Sequence, residues 1–289
     1  MKKFRFECWN VAFRKHNTNI ESNSDPFVTI KNPLLYWAAD PFIILHNNKY
    51  YVFAELYNRL TYKGVIKYCV LNENGEQISR WKKALCDKKH LSFPFVFKQN
   101  NIFYMMPESS KSCNLALYKA LSFPKKWKKE SVLIENDRVA DSIFLDNETL
   151  YTFDNYSRPR KAIVYKSVNN EWVRTIEKED PDIIFRPAGK VFLRNGKAIV
   201  PLQDSSKGQY GENMYFASIL CEKNKLTITK EFSFDKSNLH IRNFKKEVLG
   251  VHTYNFDGEF EVIDIKTSTF NVLSFLGYCI KKIKSLFEL

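Results

Sequence analysis

Carboxylic acids stand at the ends of several apolar, strand-like segments of this chain. Asp40 and Asp141 each open such a segment, and Glu108 directly follows one. Chemistry at the anomeric carbon of a sugar needs one carboxyl group to move a proton and another to act as base or to stabilise positive charge. Asp40, Glu108 and Asp141 are therefore the candidate catalytic residues.

A second set of polar residues occupies comparable positions and is predicted to bind substrate. Acids, a cation and imidazoles that converge on one pocket are typical of sugar sites. Each residue also has an ordinary structural interpretation: Asp40 before a proline can cap a turn, His90 can be a structural histidine, and Arg186 can be a buried ion-pair partner. The candidates are Glu55, His90, Ser92, Arg186, Gln203, Asp204 and His252.

No metal site is predicted, because the six cysteines are widely separated and never form a Cys-x-x-Cys pair. The acidic pair in Asp180-Pro181-Asp182 matches a metal-holding motif of transferases, but it is one short match in a loop. No glycine-rich dinucleotide motif is present. We predict no cofactor, with a nucleotide sugar as the donor if a sugar is transferred.

The elements that must position these residues come from a repeat of strand, turn and strand. It occurs five times, at intervals of about fifty residues, and its best copy begins at Asp40. Asn and Gly in the turns tolerate positive φ, as tight hairpins require. The five turns lie at Asn47-Asn48, Asn100-Asn101, Asn147, Asn195-Gly196 and Asp257-Gly258.

Such spacing fits one four-stranded propeller blade per copy and is too long for a simple meander barrel. The sequence therefore predicts an all-β, five-bladed β-propeller over residues 1–267, with hairpins of a β-sandwich as the alternative. In a propeller the innermost strand of each blade lines a central funnel. The polar residues that open the copies then converge on one axis.

Residues 268–289 change to helical spacing. Apolar residues recur at intervals of three and four from Val272 to Phe287, beside Lys281, Lys282 and Lys284. This pattern predicts a basic amphipathic helix that binds an anionic membrane surface through residues 270–289. Packing on the propeller or on a second subunit is the alternative.

Charge and composition limit the partners. The net charge is +13, but the basic residues are scattered, which argues against nucleic-acid binding. No apolar segment follows the basic residues at the N-terminus, so no secretory signal is predicted. We expect a cytoplasmic protein that is peripheral at the inner membrane.

Several motifs also resemble those of a known family. The chain is similar to the propeller domain at the N-terminus of glucosamine inositolphosphorylceramide transferases, and distantly to the arabinanase, invertase and levansucrase superfamily. Those hydrolases place an acid in each of the first three blades, whereas this chain has Phe93 at the position in blade two. The motifs are Ala39-Asp40-Pro41-Phe42, His90-Leu91-Ser92-Phe93-Pro94-Phe95-Val96-Phe97, Pro107-Glu108-Ser109, Phe123-Pro124 with Trp127, Asp141-Ser142-Ile143-Phe144 and Arg186-Pro187-Ala188-Gly189-Lys190.

The resemblance implies a propeller that handles sugars, and Phe93 favours joining sugars over cutting them. The leading hypothesis is a glycosyltransferase of bacterial capsule or lipopolysaccharide synthesis, acting on a sugar donor and a glycan or lipid-linked acceptor. In this hypothesis Arg186 holds the donor's phosphates and Asp40 or Glu108 is the base. The alternatives are a glycoside hydrolase or phosphorylase, and a noncatalytic glycan-binding module.

Overall fold

The structure is a computed structural model that describes residues 5–109, 112–222 and 224–287, without the side chains of Lys284 and Phe287. Residues 288 and 289 of the predicted helix lie outside the described residues. Five antiparallel sheets of four strands each form a five-bladed β-propeller, and one helix follows near the C-terminus. The predicted fold class is confirmed.

Each blade consists of four strands, given in order from the propeller axis outwards. Blade one contains β3 (Tyr36–His46), β4 (Lys49–Asn58), β5 (Lys63–Leu71) and β6 (Lys82–Leu85). Blade two contains β7 (Ser92–Gln99), β8 (Ile102–Glu108), β9 (Asn114–Ser122) and β10 (Lys126–Glu135). Blade three contains β11 (Ala140–Phe144), β12 (Thr149–Asp154), β13 (Lys161–Val168) and β14 (Glu171–Glu179). Blade four contains β15 (Phe192–Arg194), β16 (Lys197–Asp204), β17 (Asn213–Glu222) and β18 (Lys225–Phe234). Blade five contains β19 (Tyr254–Asp257), β20 (Phe260–Thr269), β1 (Phe6–Lys15) and β2 (Val28–Thr29).

The N-terminal strand closes the ring of blades. β1 pairs with β20 over ten residue pairs, from Phe6 opposite Thr269 to Lys15 opposite Phe260. The repeat did not predict this strand, because the two outer strands of blade five, β1 and β2, come from the N-terminal end of the chain. Closure leaves the propeller without a gap between its first and last blades.

A bulge recurs at the start of the inner strand in the first three blades. Asp40, Phe93 and Asp141 have φ values of +52°, +41° and +42°. At each of them the pairing with the second strand shifts register. A bulge of this kind re-aims the backbone and its side chain. Phe93 therefore occupies in blade two the position that an aspartate occupies in blades one and three.

The inner strands of blades four and five are shorter than the repeat predicted. In blade four, Pro187 makes only an isolated bridge to Leu202, since proline lacks a donor for the sheet. In blade five, the main-chain N–H groups of His252 and Thr253 bond to the Asp264 carboxylate instead of a neighbouring strand. Regular pairing begins only at Phe192 and Tyr254.

The predicted helix is present as α1 (Val272–Phe287), and no helix among the described residues is long and apolar enough to cross a membrane. It packs on the propeller through small residues. A Cβ atom on Gly277 would lie 2.1 Å from the carbonyl oxygen of Arg59, and the Arg59 guanidinium donates to Ser274 at 3.2 Å. A stripe of apolar side chains on α1 is 42–60% exposed: Val272, Leu276, Ile280 and Ile283.

Candidate active site

Asp40 belongs to a buried network that joins blades one, two and five. Its carboxylate accepts the main-chain N–H of Phe93 at 3.1 Å and lies 3.6 Å from Nε2 of His252. The other ring nitrogen of His252, Nδ1, lies 2.7 Å from Asp264. Asp264 also accepts the main-chain N–H of Asp40 at 2.9 Å. His252 is thereby held between two carboxylates.

A second network lies around Arg186 and joins blades two, three and four. Its Nε donates to Oδ2 of Asp141 at 2.5 Å, and its terminal nitrogen lies 3.6 Å from Glu108. The side-chain amide of Gln203 donates to the same oxygen of Asp141 at 3.1 Å. The charge of Arg186 is therefore shared by two carboxyl groups that come from different blades.

Glu55 and His90 form a third contact at the edge of these networks. Nε2 of His90 lies 3.2 Å from Oε1 of Glu55, and Nδ1 of His90 accepts the main-chain N–H of Gly64 at 2.9 Å. Because Nδ1 is an acceptor, the neutral ring carries its proton on Nε2, facing Glu55. Gly64 is required here, since a Cβ atom would lie 2.3 Å from the Glu55 carboxylate.

Burial shifts the acids of these networks toward their protonated forms. Loss of hydration raises the pKa of Asp40 to about 6 and that of Asp141 to about 7, although His252 and Arg186 respectively oppose the shift. Burial, followed by repulsion from the surrounding carboxylates, raises the pKa of Glu55 well above its usual range. Acids that titrate near neutral pH are suited to both giving and taking protons.

His252 responds in the opposite way to its surroundings. Burial alone would lower the pKa of its imidazole, but Asp264 and Asp40 together raise it. The ring also stacks on Trp9 of β1, with centroids 4.0 Å apart. The charged form is thus stabilised by two acids, while the indole fixes the orientation of the ring.

Tyr210 covers both networks from the loop between β16 and β17. Its ring meets His252 edge to face at 5.3 Å and lies 5.4 Å from the guanidinium carbon of Arg186. As a whole residue Tyr210 is 40% exposed, whereas Asp40, Glu55, Glu108, Asp141 and Arg186 are 2–9% exposed. Tyr210 therefore lies between solvent and the acids.

The structure brings most of the predicted residues together. Ser92 pairs with Glu108 across β7 and β8, beside the second network. Asp204 does not join the cluster: its carboxylate accepts hydrogen bonds from the N–H and hydroxyl of Ser206 and so caps a turn. Asp180 likewise accepts the main-chain N–H groups of Ile184 and Phe185 and thereby holds a loop.

Sequence reasoning missed Trp9, Tyr210 and Asp264. One signal was available for Asp264, because it interrupts the apolar run Val262-Ile263-Asp264-Ile265 of a buried strand. A buried acid in such a run needs partners, and its partners here belong to the candidate site. Trp9 and Tyr210 lie in segments outside the repeat, so their sequence carried no comparable signal.

Asp40, His252 and Asp264 present ligand atoms within 4.8 Å of one another, a spacing that a metal ion would also accept. In this structure the two carboxylates contact the two ring nitrogens of His252. Asp264 contacts the His252 ring and accepts three main-chain N–H groups, those of Asp40, His252 and Thr253. We therefore describe the three residues as an ion-paired network.

The fold and the site together define a class of protein. It is a five-bladed β-propeller with a buried cluster of acids, an arginine and a histidine that come from all five blades. The chain belongs to the family described as glucosamine inositolphosphorylceramide transferase 1, N-terminal, whose model matches residues 30–248.

Relatives of that name occur in plants. The chain is 30% identical over 223 residues to glucosamine inositolphosphorylceramide transferase 1 of Oryza sativa subsp. japonica, covering 73% of this chain and 29% of the relative. It is 29% identical over 234 residues to the Arabidopsis thaliana protein, covering 76% of this chain and 30% of the relative. The chain thus spans less than a third of the length of these relatives.

Solved structures share the fold at low identity. A GH43 β-xylosidase/α-arabinofuranosidase from a compost metagenome has a TM-score of 0.55 and 12% identity, covering 82% of this chain and 92% of that one. The GH62 α-L-arabinofuranosidase domain of Coprinopsis cinerea has a TM-score of 0.55 and 12% identity, covering 93% and 98%. These likenesses support the five-bladed fold.

Proposed function

We propose that this chain binds a sugar in its central funnel and takes part in glycosyl transfer, with Asp40 as the general base. The observation that carries the proposal is the cluster itself. Five acids, one arginine and two histidines from the five blades form three neighbouring networks, and burial raises the pKa of two of the acids to about 6 and about 7. The transferases among the relatives support the direction of the chemistry.

The proposed step moves one proton and exchanges one bond. The acceptor hydroxyl gives its proton to the Asp40 carboxylate as its oxygen bonds to the anomeric carbon. The bond from that carbon to the donor's phosphate oxygen breaks, and the nucleotide leaves with the electron pair. Proton uptake by Asp40 is assisted by its pKa of about 6, which is close to the working pH.

Arg186 is assigned to holding Asp141 and Glu108. Both carboxyl groups already compensate its charge, at 2.5 and 3.6 Å. A phosphate would have to displace one of them, and an uncompensated buried carboxylate is costly. Arg186 therefore positions the acids of the funnel in this proposal, and a donor's phosphates bind nearer the exposed rim around Tyr210.

The proposed biological setting is assembly of a bacterial surface polysaccharide such as a capsule or lipopolysaccharide, on a lipid-linked acceptor at the inner membrane. The exposed apolar stripe of α1 supports the membrane part of this proposal. Val272, Leu276, Ile280 and Ile283 are exposed, and Lys281 and Lys282 lie beside them. Apolar side chains flanked by lysines suit an anionic membrane surface.

A second candidate function is noncatalytic glycan binding in support of a separate transferase. Two observations favour it. The chain spans 29–30% of the length of the relatives that carry the transferase name. In addition, the acids of the funnel are only 2–9% exposed, so little of their carboxyl groups faces solvent.

A screen of nucleotide sugars against the purified full chain tests the proposal. A ligand that binds the folded state raises the melting temperature, by an amount that grows with its concentration relative to Kd. We expect stabilisation by at least one nucleotide sugar, and loss of it in Tyr210→Ala. If free oligosaccharides stabilise the chain and no nucleotide sugar does, glycan binding replaces transfer as the function.

A further inference from the structure

A second, separate cavity lies between blade one and the segment that enters it from blade five. Its volume is about 720 Å³, and it is lined by residues 31–34, by Lys67 of β5 and by residues 77–81, which precede β6. None of the acids of the funnel lines this cavity. It is therefore independent of the candidate active site.

The lining of this cavity is cationic. Lys31, Lys67 and Arg80 all contribute to it, and the described lining contains no aspartate or glutamate. No ion pair joins any of the three to a carboxylate among the described residues, whereas Lys161, for example, lies 2.6 Å from Glu177. Three cations without an acid form a site for an anion with more than one charge.

Two polar atoms of lining residues are buried behind the cavity wall and lack hydrogen-bond partners. The amide nitrogen of Asn32 donates to the Trp9 carbonyl at 2.8 Å, which fixes the orientation of the amide. Its oxygen Oδ1 is buried and has no hydrogen-bond partner, and the same is true of the indole nitrogen of Trp81. The first atom needs a donor and the second needs an acceptor. A hydroxyl group supplies both.

We propose that this cavity binds a phosphate ester that carries free hydroxyl groups. The phosphate contacts Lys31, Arg80 and Lys67, whose ammonium group lies 3.9 Å from the centroid of the Tyr36 ring. The hydroxyls bond to Asn32 and Trp81 when these two side chains turn toward the ligand. Leu34, which is 78% exposed at the rim, adds an apolar edge. Two sources supply this chemistry, a soluble sugar phosphate and the headgroup of a phospholipid such as phosphatidylglycerol.

Calorimetric titration of the full chain with glucose 1-phosphate, glucose and inorganic phosphate tests the proposal, together with sedimentation on vesicles of phosphatidylglycerol or phosphatidylcholine. We expect glucose 1-phosphate or phosphatidylglycerol vesicles to bind, and the double variant Lys31→Gln/Arg80→Gln to weaken that binding at least tenfold. Trp81→Phe keeps the ring and removes the N–H, so we expect a smaller loss. Binding to glucose 1-phosphate identifies a soluble ligand. Because α1 is also proposed to bind vesicles, a headgroup is identified only by vesicle binding that the cavity variant weakens.

A matched control is the double variant Lys128→Gln/Lys129→Gln on β10, which removes the same charge from exposed residues that do not line the cavity. It should bind as the unchanged chain does. The proposal is overturned if neither probe binds, or if the control variant loses as much binding as the cavity variant. Neither result bears on the proposed function of the funnel, because none of the substituted residues belongs to the funnel.

Discussion

The carboxylate of Asp40 accepts a hydrogen bond from the main-chain N–H of Phe93, 3.1 Å away. The two residues occupy equivalent bulges in neighbouring blades, with φ values of +52° and +41°. One of them presents an acid to the axis, and the other presents only its backbone. Phe93 thus supports the acid of blade one instead of supplying one itself.

The side chain of Phe93 is fully buried and meets the ring of Phe42 edge to face at 4.9 Å. Phe93→Ala should therefore lower the free energy of unfolding by about 3–5 kcal/mol. Phe270→Ala, at a position that is 59% exposed, should change it by less than about 0.5 kcal/mol. Urea titrations of both variants measure the difference, and equal effects would show that Phe93 is not a core residue.

Stability should depend on pH in a direction set by the buried acids. In the folded chain Asp40 and Asp141 keep their protons up to about pH 6 and about pH 7, whereas in the unfolded chain aspartate loses its proton near pH 4, about its ordinary value. The folded state then binds more protons over this interval, so stability falls as pH rises from about 4 to about 7. The raised pKa of His252 adds a loss of the same sign as pH rises past its ordinary value.

Chemical denaturation at several pH values between 5 and 7.5 measures this slope. Asp141→Asn should flatten it, while Asp204→Asn, outside the cluster, should leave it unchanged. A free energy of unfolding that increases steadily from pH 5 to pH 7.5 would show that the acids of the funnel are ionised throughout.

Two glycines in the loop that carries Tyr210 form a matched pair. Gly208 and Gly211 both have positive φ, at +83° and +68°, so alanine is strained at either position. A Cβ atom at Gly208 meets nothing within 4 Å, but at Gly211 it would lie 2.4 Å from the Trp9 ring. Gly208→Ala should cost about 1 kcal/mol, from strain alone.

Gly211→Ala should cost more than Gly208→Ala and should also disturb the stacking of Trp9 on His252. Urea midpoints and tryptophan fluorescence of the two variants test this difference. Identical midpoints, with unchanged fluorescence, would mean that the loop does not press on Trp9.

The proposed membrane contact of α1 predicts a selective loss of vesicle binding. Ile283→Glu places a negative charge on the exposed apolar stripe and should reduce sedimentation with phosphatidylglycerol vesicles by tenfold or more. Leu121→Glu, at a 65% exposed position on β9, should have little effect. If both variants lose binding equally, or if neither does, α1 is not the membrane contact.

The blades could be predicted from the sequence because the two strands within each copy of the repeat pair across a short local turn. Asn47-Asn48 and Asn100-Asn101 adopt the positive φ that the hairpins require. Local contacts of this kind leave a repeated pattern. The pairing of β1 with β20 joins residues near the two ends of the sequence, so no local sequence pattern predicts it.

The site was predictable in part for the same reason. Asp40 and Asp141 open copies of the repeat, and their equivalence follows from their register. Tyr210 and Trp9 reach the cluster from a loop and from the closing strand, which differ from the repeat. Asp204 shows the converse: it was predicted to bind substrate, but its carboxylate accepts hydrogen bonds from Ser206 instead.

Asp40 is the proposed base of the funnel, and the most direct measurement of this role compares Asp40→Asn with Asp204→Asn. Release of the nucleotide product from a stabilising nucleotide sugar, in the presence of a lipid-extract acceptor, gives the turnover of each variant, and thermal melting confirms that each is folded. We predict that Asp40→Asn lowers kcat by about 10²-fold or more, while Asp204→Asn stays within about twofold of the unchanged chain, as expected of a residue outside the cluster. Turnover that survives Asp40→Asn would contradict the account.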